Sequence, residues 1–360
     1  MFERSPAMST PAEHPEVRVG LCGLGSVGGL VARLLLDHRS GVTVVGAATK
    51  NDPDIGRPLH TVVGAARAES PTVVDSLERV LAEHPDVVIL ATGSFLPDVI
   101  DQVLACVRAG VNVISPCEEL AYPFVDSPAV AAQIDSAAES GGATVLGTGV
   151  NPGFIFDALL GVATGVCWDV QAIRGRRVVD IVGFGENIHR RLGIGYTPEE
   201  FDAGHRAGTI AGHVGFPESI GVLCERLGVR LDAAVEETFE PMVATTPAPT
   251  KYGAVDAGCT DGFVQRAVGR VDGRDLVKLE LVLHLRPREV GFQPADTIEI
   301  DGRHPVRLTL DPGMDALLAT SAELVNSIPA VLMAPAGLKT IKDLPAATAW
   351  LGSVHDVVFR

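Results

Sequence analysis

The chain has 360 residues, a length that favours about two domains. Hydrophobic residues make up 46% and charged residues 21%, an ordinary globular balance that argues against disorder. Lys and Arg total 29 against 45 Asp and Glu, a formal charge of −16 with no basic stripe, which speaks against a nucleic-acid surface.

Residues Met1 to Glu16 are rich in Pro, Ser and Glu and lack an apolar core, so they read as a loose leader rather than a secretory signal. Val17 to Cys22 is a short apolar run ending in Gly23-Leu24-Gly25-Ser26-Val27-Gly28. Val27, Leu30, Val31, Leu34 and Leu35 then recur at helical spacing, giving strand, glycine turn and helix. Further strands are expected at Val42 to Ala48, Thr72 to Val74, Asp86 to Ala91, Val111 to Ile114 and Thr144 to Leu146. Helix-period segments separate them at Ser76 to Glu83, Asp98 to Ala109 and Ser127 to Ser140. Continuous apolar strands alternating with amphipathic helices predict an α/β fold, a doubly wound Rossmann domain over residues 17–150.

The pattern changes after Asn151-Pro152-Gly153-Phe154. A helix is expected from Asp157 to Thr164, followed by a strand from Trp168 to Val182. Phe263 to Val271 and Leu276 to Leu285 flank Asp272-Gly273, a hairpin signal that Asp301-Gly302 repeats. Thr197-Pro198-Glu199-Glu200 reads as a capping box, and Pro217 to Leu227 as a helix closed by Gly228. Residues 151–312 are therefore expected to form an α+β domain with a largely antiparallel sheet. The helical stretch Ala316 to Val331, within a C-terminal segment 313–360, is expected to pack back on the first domain.

The glycine turn is the first site. Gly23 permits the tight turn, Gly25 lets the backbone approach a pyrophosphate, and Gly28 allows close helix–strand packing, with Ser26 and Val27 between them. The helix N-terminus offers free N–H groups to the phosphates. An NAD enzyme places an acid about 20 residues past the glycines for the ribose 2′-OH. This chain has Thr49, Lys50 and Asn51 there, with no acid before Asp52 and Arg57 further on, so NADP is favoured and NAD remains open. Ala91, Thr92 and Gly93 follow another strand at the ligand end of the sheet and join the cofactor candidates.

The six cysteines are scattered with no CxxC pair, which fits reduced thiols in a cytoplasmic protein. No uninterrupted apolar run reaches the ~20 residues that span a bilayer. No HExxH spacing is present, and no metal is expected.

Gly23 to Gly28, Thr92 to Pro97, Ser115 to Pro123, Gly149 to Phe154 and Gly212 to Ser219 occur together and in order. In this combination the chain resembles the 2,4-diaminopentanoate dehydrogenases and native amine dehydrogenases, which share the dihydrodipicolinate reductase-like fold. The resemblance runs from about Val17 to Pro345. It implies NAD(P)-dependent oxidative deamination of an amine, or reductive amination of a ketone or aldehyde with ammonia, by a homodimer. It also implies an amine-binding carboxylate in the pair Glu118 and Glu119, without deciding between them, and a histidine, His213, near the substrate. Asn151 and Pro152 of the shared motif join the cofactor candidates. Phe154, Phe156, Arg177 and His189 are candidate pocket residues, with Arg190 ranked beside His189.

Three features depart from the family. No acid follows the second strand, Asp311 to Ala316 lacks the usual Gly-Asp step, and no carboxylate-binding arginine stands out, which leaves room for a simpler amine. Two other readings are an NADPH-dependent reductase of C=N or C=O bonds working without ammonia, and a dinucleotide-binding sensor. A sensor needs neither the glutamate pair nor the His213 loop.

Overall fold

The computed structural model describes residues 16–358, so nearly all of the expected leader lies outside the described residues. The N-terminal half alternates β1 (Val17–Cys22), α1 (Ser26–His38), β2 (Val42–Ala48), α2 (Leu59–Val63), β3 (Val73–Val74), α3 (Leu77–Leu81), β4 (Val87–Leu90), α4 (Leu96–Arg108), β5 (Asn112–Ser115), α5 (Pro128–Gly141) and β6 (Thr144–Gly147). Every residue of β4 and β6 is buried, as expected of strands covered on both faces. The strands pair in parallel in the order β6-β5-β4-β1-β2-β3, the doubly wound arrangement. Strand order reverses between β1 and β4, so the crevice beyond their carboxyl ends is where a ligand belongs.

The second half holds α6 (Leu159–Thr164), β7 (Ala172–Asp180), α7 (Glu186–Arg191), α8 (Pro198–Arg206), α9 (Phe216–Arg226), β8 (Glu236–Val243), β9 (Ala248–Thr250), β10 (Gly253–Val255), β11 (Thr260–Val271), β12 (Arg274–His284), β13 (Ala295–Asp301) and β14 (Val306–Leu310). Six of these strands form a sheet in the order β14-β13-β7-β12-β11-β8, antiparallel except at β7–β12. The β11–β12 turn places Asp272 at φ 52° and Gly273 at φ 72°, the two positive angles a two-residue turn of this kind needs. Both turn N–H groups donate to the Asp232 carboxylate. The expected capping box at Thr197 and Glu200 forms at the start of α8.

Side-chain alternation divides the second sheet into two chemistries. Along β7, Ile173 and Val179 join the core beside Phe156, Phe216 and Phe263. Arg174 and Arg176 take the opposite face, where they pair with Asp301, Glu299 and Glu280. Arg177 shares the inward parity of Ile173 and Val179, and that parity brings it to the site.

The chain then returns to the first domain. α10 (Ala316–Asn326) and α11 (Ile328–Met333) bury Leu324, Val325, Ile328 and Val331 in the same core as Val31 and Leu35 of α1. β15 (Gly337–Lys339) adds a seventh strand beside β6, and α12 (His355–Val358) follows. The apolar stretch Ala316–Met333 is long enough to span a bilayer by length and composition, yet its Leu324, Val325, Ile328 and Val331 are buried in this core.

Several expectations need correction. β7 begins at Ala172, and Trp168 is 77% exposed outside it. The helix expected from Asp157 opens with a π turn, Phe154–Ala158, where the Asp157 carboxylate accepts from the Gly153 N–H and the Ser219 hydroxyl. His189 and Arg190, given no element in the sequence reading, lie on α7.

Gly175 on β7 lies under the Phe156 ring, so an added Cβ would meet Phe156 Cδ1 at 2.7 Å. Gly175→Ala is expected to destabilise the chain by about 1–3 kcal/mol, read as a lower urea midpoint; an unchanged midpoint would show that the ring shifts freely.

Candidate active site

The glycine turn is built as its spacing requires. Gly23 has φ 91°, and a Cβ there would come within 2.2 Å of the Ala91 carbonyl. A Cβ on Gly28 would sit 1.9 Å from the Gly23 carbonyl oxygen, whereas one on Gly25 would meet nothing within 4 Å. Gly23 and Gly28 therefore close the turn, and Gly25 leaves open space over the start of α1. No side chain caps α1, and its first turn carries no acid, so its N–H groups are free for an anion. A cavity of about 620 Å³ runs over this turn, lined by Gly23, Gly25, Thr49, Lys50, Asn51, Ala91 and Thr92. These residues fit a dinucleotide, with the pyrophosphate at α1. Asp75, Glu78, Asp98 and Asp101 share the wall, leaving Lys50 as its basic residue.

Ser26 and Gly93 do not line this cavity, and Gly93 instead packs against Asp98 at the start of α4. Arg57 is paired with Asp54 and also lies off the wall. Val27, Asn151 and Pro152 line a neighbouring cavity of about 200 Å³, set between the first sheet and the inner face of the second.

That second cavity gathers Glu118, Arg177, Arg191 and His213. Glu118 and Glu119 leave β5 on a single 3₁₀ turn, Glu118–Leu120, so adjacent side chains diverge. Glu119 turns to α4, where its carboxylate accepts from the Leu96 N–H at 2.6 Å. Glu118 faces the cavity. Burial pushes its carboxyl up to about 7, against the lowering effects of its own N–H, the Arg191 charge and the Ser94 hydroxyl. Arg191 reaches across from α7 to donate to Ser94 Oγ at 3.0 Å, tying the two halves together at the site.

His213 is held from both sides. The Gln265 side chain accepts from its N–H and donates to its carbonyl, both at 2.9 Å. Its ring packs edge-on against Phe216, and Asn151 Nδ2 donates to Nε2 at 3.0 Å. Burial, with the Arg177 and Arg191 charges, pushes the imidazole down to about 3. The ring is therefore neutral. Asn151 Oδ1 is buried without a hydrogen-bond partner.

Arg177 is 2% exposed. Its Nε donates to Asp296 at 2.8 Å and its Nη2 to the Met314 carbonyl, while Asp296 also accepts from the Met314 N–H. The segment that lacks the Gly-Asp step thus supplies the backbone clamp on this guanidinium.

Three pocket expectations are corrected. Phe156 is fully buried against Phe216 in the second core. Phe154 lines a separate small cavity with Arg226 and Glu323. His189 points back into the protein, its Nε2 bonded to the Ile181 carbonyl at 2.7 Å; Ile188, Arg191 and Leu192 are the residues here that reach the cavity. Arg191, Gln265 and Asp296 escaped sequence reasoning. For Arg191 the signal is its place one turn past Ile188, visible only once the helix is recognised.

Comparison with known proteins identifies the family. Residues 154–360 match the profile of the 2,4-diaminopentanoate dehydrogenase C-terminal domain, and residues 23–146 match the homoserine dehydrogenase NAD-binding domain. The chain belongs to the 2,4-diaminopentanoate dehydrogenase family. It is 36% identical over 345 residues to the 2,4-diaminopentanoate dehydrogenase of Acetoanaerobium sticklandii, covering 95% of this chain and 97% of that one. It is 25% identical to an amine dehydrogenase of Streptomyces virginiae, covering 91% and 96%. The solved amine dehydrogenase of Mycobacterium smegmatis superimposes with a TM-score of 0.85 at 25% identity, covering 94% of this chain and 99% of that structure.

In this family member Glu118 carries a testable electrostatic load. Its folded carboxyl titrates at about 7, above the ordinary 4.5, so ionising it costs stability progressively as pH rises through that window. Glu118→Gln is expected to melt a few degrees above the wild type at pH 8, with the difference vanishing near pH 4. A variant equally stable or less stable at pH 8 would place Glu118 in a better-compensated setting.

Proposed function

We propose that this protein is an NAD(P)-dependent amine dehydrogenase, interconverting an amine with its carbonyl compound and ammonia. The observation that carries the reading is Glu118: a carboxylate near its ionisation midpoint, lining a small cavity beside the dinucleotide cradle and sharing it with a neutral His213. When bound, a nicotinamide dinucleotide supplies the hydride exchange, and the remaining tasks fall to the chain. Ionised Glu118 holds the substrate ammonium, takes its proton and stabilises the iminium. His213 orients the substrate as a neutral ring, with Gln265 holding its backbone and Asn151 its ring.

Arg177 and Arg191 give the same cavity two guanidinium groups beside one carboxylate. Arg177 is committed to Asp296, so Arg191 is the residue proposed to meet a substrate carboxylate. This favours amino acids over simple amines, in keeping with the diamino acid named in the Acetoanaerobium sticklandii relative. Lys50, with Thr49 and Asn51, supports a preference for NADP; Asp75 and Glu78 on the same wall leave NAD usable.

The activity is tested with NADPH, ammonium and a panel of keto acids, ketones and aldehydes. Ammonium-dependent consumption is expected, best with the carboxylated members. Glu118→Gln is expected to lower kcat/KM for the amine by about 100-fold or more. Consumption without ammonium would favour the simple reductase, and binding without turnover a sensor. For the cofactor, Lys50→Ala is expected to shift the NADPH:NADH ratio of kcat/KM towards NADH by roughly tenfold, about 1.4 kcal/mol of binding. An unchanged ratio would remove Lys50 from the 2′-phosphate site.

A further inference from the structure

A separate cavity of about 300 Å³ lies against the Gly212–Gly215 segment, which also walls the substrate cavity. Glu119, Asp126, Glu218 and Glu237 line it together with His205, and no lysine or arginine does. His213 and Val214 line both cavities, so one stretch of chain separates them.

Two of the four carboxylates have structural partners: Glu119 accepts from the Leu96 N–H, and Glu237 from Gln265 Nε2 at 3.0 Å. Asp126 and His205 stand exposed at the mouth. Glu218 is different. It is 4% exposed, in the first turn of α9, and only its own N–H bonds to its carboxylate among the described residues. An acid in a helix's first turn complements the positive end of the dipole. That explains one carboxylate, and not three more around a cavity that no lysine or arginine among the described residues lines. Buried carboxylates are costly unless a cation joins them. Burial, together with the charges of Asp126, Glu119 and Glu237, pushes the Glu218 carboxyl up to about 8.

Among the described residues no group of three His, Cys, Asp or Glu is arranged to hold a metal ion. Acids spread around a cavity suit a small cation that makes hydrogen bonds in several directions. We propose that this cavity binds ammonium, and that Glu218 takes one of its protons and so releases ammonia beside the His213 wall of the substrate cavity. One N–H bond breaks and one O–H bond forms on Glu218; the nitrogen keeps the electron pair with which it attacks the substrate carbonyl carbon. In the reverse direction Glu218 returns the proton as ammonium leaves. The inference rests on the amine dehydrogenase reading above.

The test varies ammonium chloride during reductive amination with NADPH, at ionic strength held by sodium chloride, for the full chain, Glu218→Gln and Glu237→Gln. The KM for ammonium is expected to rise about fivefold or more in Glu218→Gln and to a smaller extent in Glu237→Gln. The KM for the carbonyl substrate is expected to stay within about twofold. Should Glu218→Gln fail to fold, the same split in Glu237→Gln carries the result. Unchanged ammonium KM values beside an ammonium-dependent wild type overturn this site and leave the activity standing. A wild type indifferent to ammonium sinks the activity reading instead, and calorimetry then decides the site alone. Heat from ammonium over matched sodium chloride, lost in Glu218→Gln, supports the site; equal heats for the two salts overturn it.

Discussion

The structure turns on a carboxylate removed from water without a cation bonded to it. Transferring an ionised carboxylate into a protein interior costs several kcal/mol unless a partner compensates. At Glu118 the compensation is partial: the Ser94 hydroxyl, its own N–H and the more distant Arg191 charge leave the group near neutrality in its midpoint. A fully paired Glu118 would be permanently ionised and of little use as a base; a fully unpaired one would stay protonated. The intermediate state needs two halves of the protein at once. Glu118 comes from the end of β5, and Arg191 from α7 across the cleft.

That requirement explains why the chain runs out to a second sheet and returns. The inner face of that sheet carries Arg177 and Gln265 among apolar neighbours, Arg177 bonded to Asp296 and Met314 and Gln265 to His213 and Glu237. Asp296 and Met314 hold Arg177, and Gln265 holds the His213 backbone. These contacts fix a guanidinium and an imidazole against one cavity, and burial, with the two arginine charges, keeps the imidazole neutral. Packing α10 and α11 on α1 then seats the second sheet over the crevice: Ser321 Oγ donates to the Val27 carbonyl beside the glycine turn.

The first domain was legible because its signals are local. A buried parallel strand reads as a continuous apolar run, and Gly23, Gly25 and Gly28 each have a steric reason at fixed spacing. The capping box at Thr197 and the Asp272-Gly273 turn were legible for the same reason. The site was legible only as a list of residue types. Glu118 and Glu119 are alike in sequence, and the 3₁₀ turn that sends one to the cavity and the other to α4 depends on where α4 begins. Phe154 and Phe156 lie within a π turn whose extra residue rotates both away from the expected pocket. Arg191 was hidden because α7 is six residues long and strongly polar, with too little periodicity to mark a helix.

Charge placement separates the three cavities. The chain is acidic overall, and most arginines of the second sheet are consumed in the outward ladder with Glu236, Glu240, Glu280, Glu299 and Asp301. Against that background a single cation changes the character of a cavity. Among the described residues Lys50 is the one lysine or arginine in the cradle over α1, Arg177 and Arg191 face Glu118, and no lysine or arginine lines the cavity around Glu218. On the readings proposed above, an anionic cofactor, a substrate of mixed charge and a small cation would thereby be drawn to different places. The positive cavity and the wholly acidic one share His213, the residue through which amine chemistry in one and proton exchange in the other would meet. Its neutrality follows from its burial, to which the Arg177 and Arg191 charges in the same cavity add.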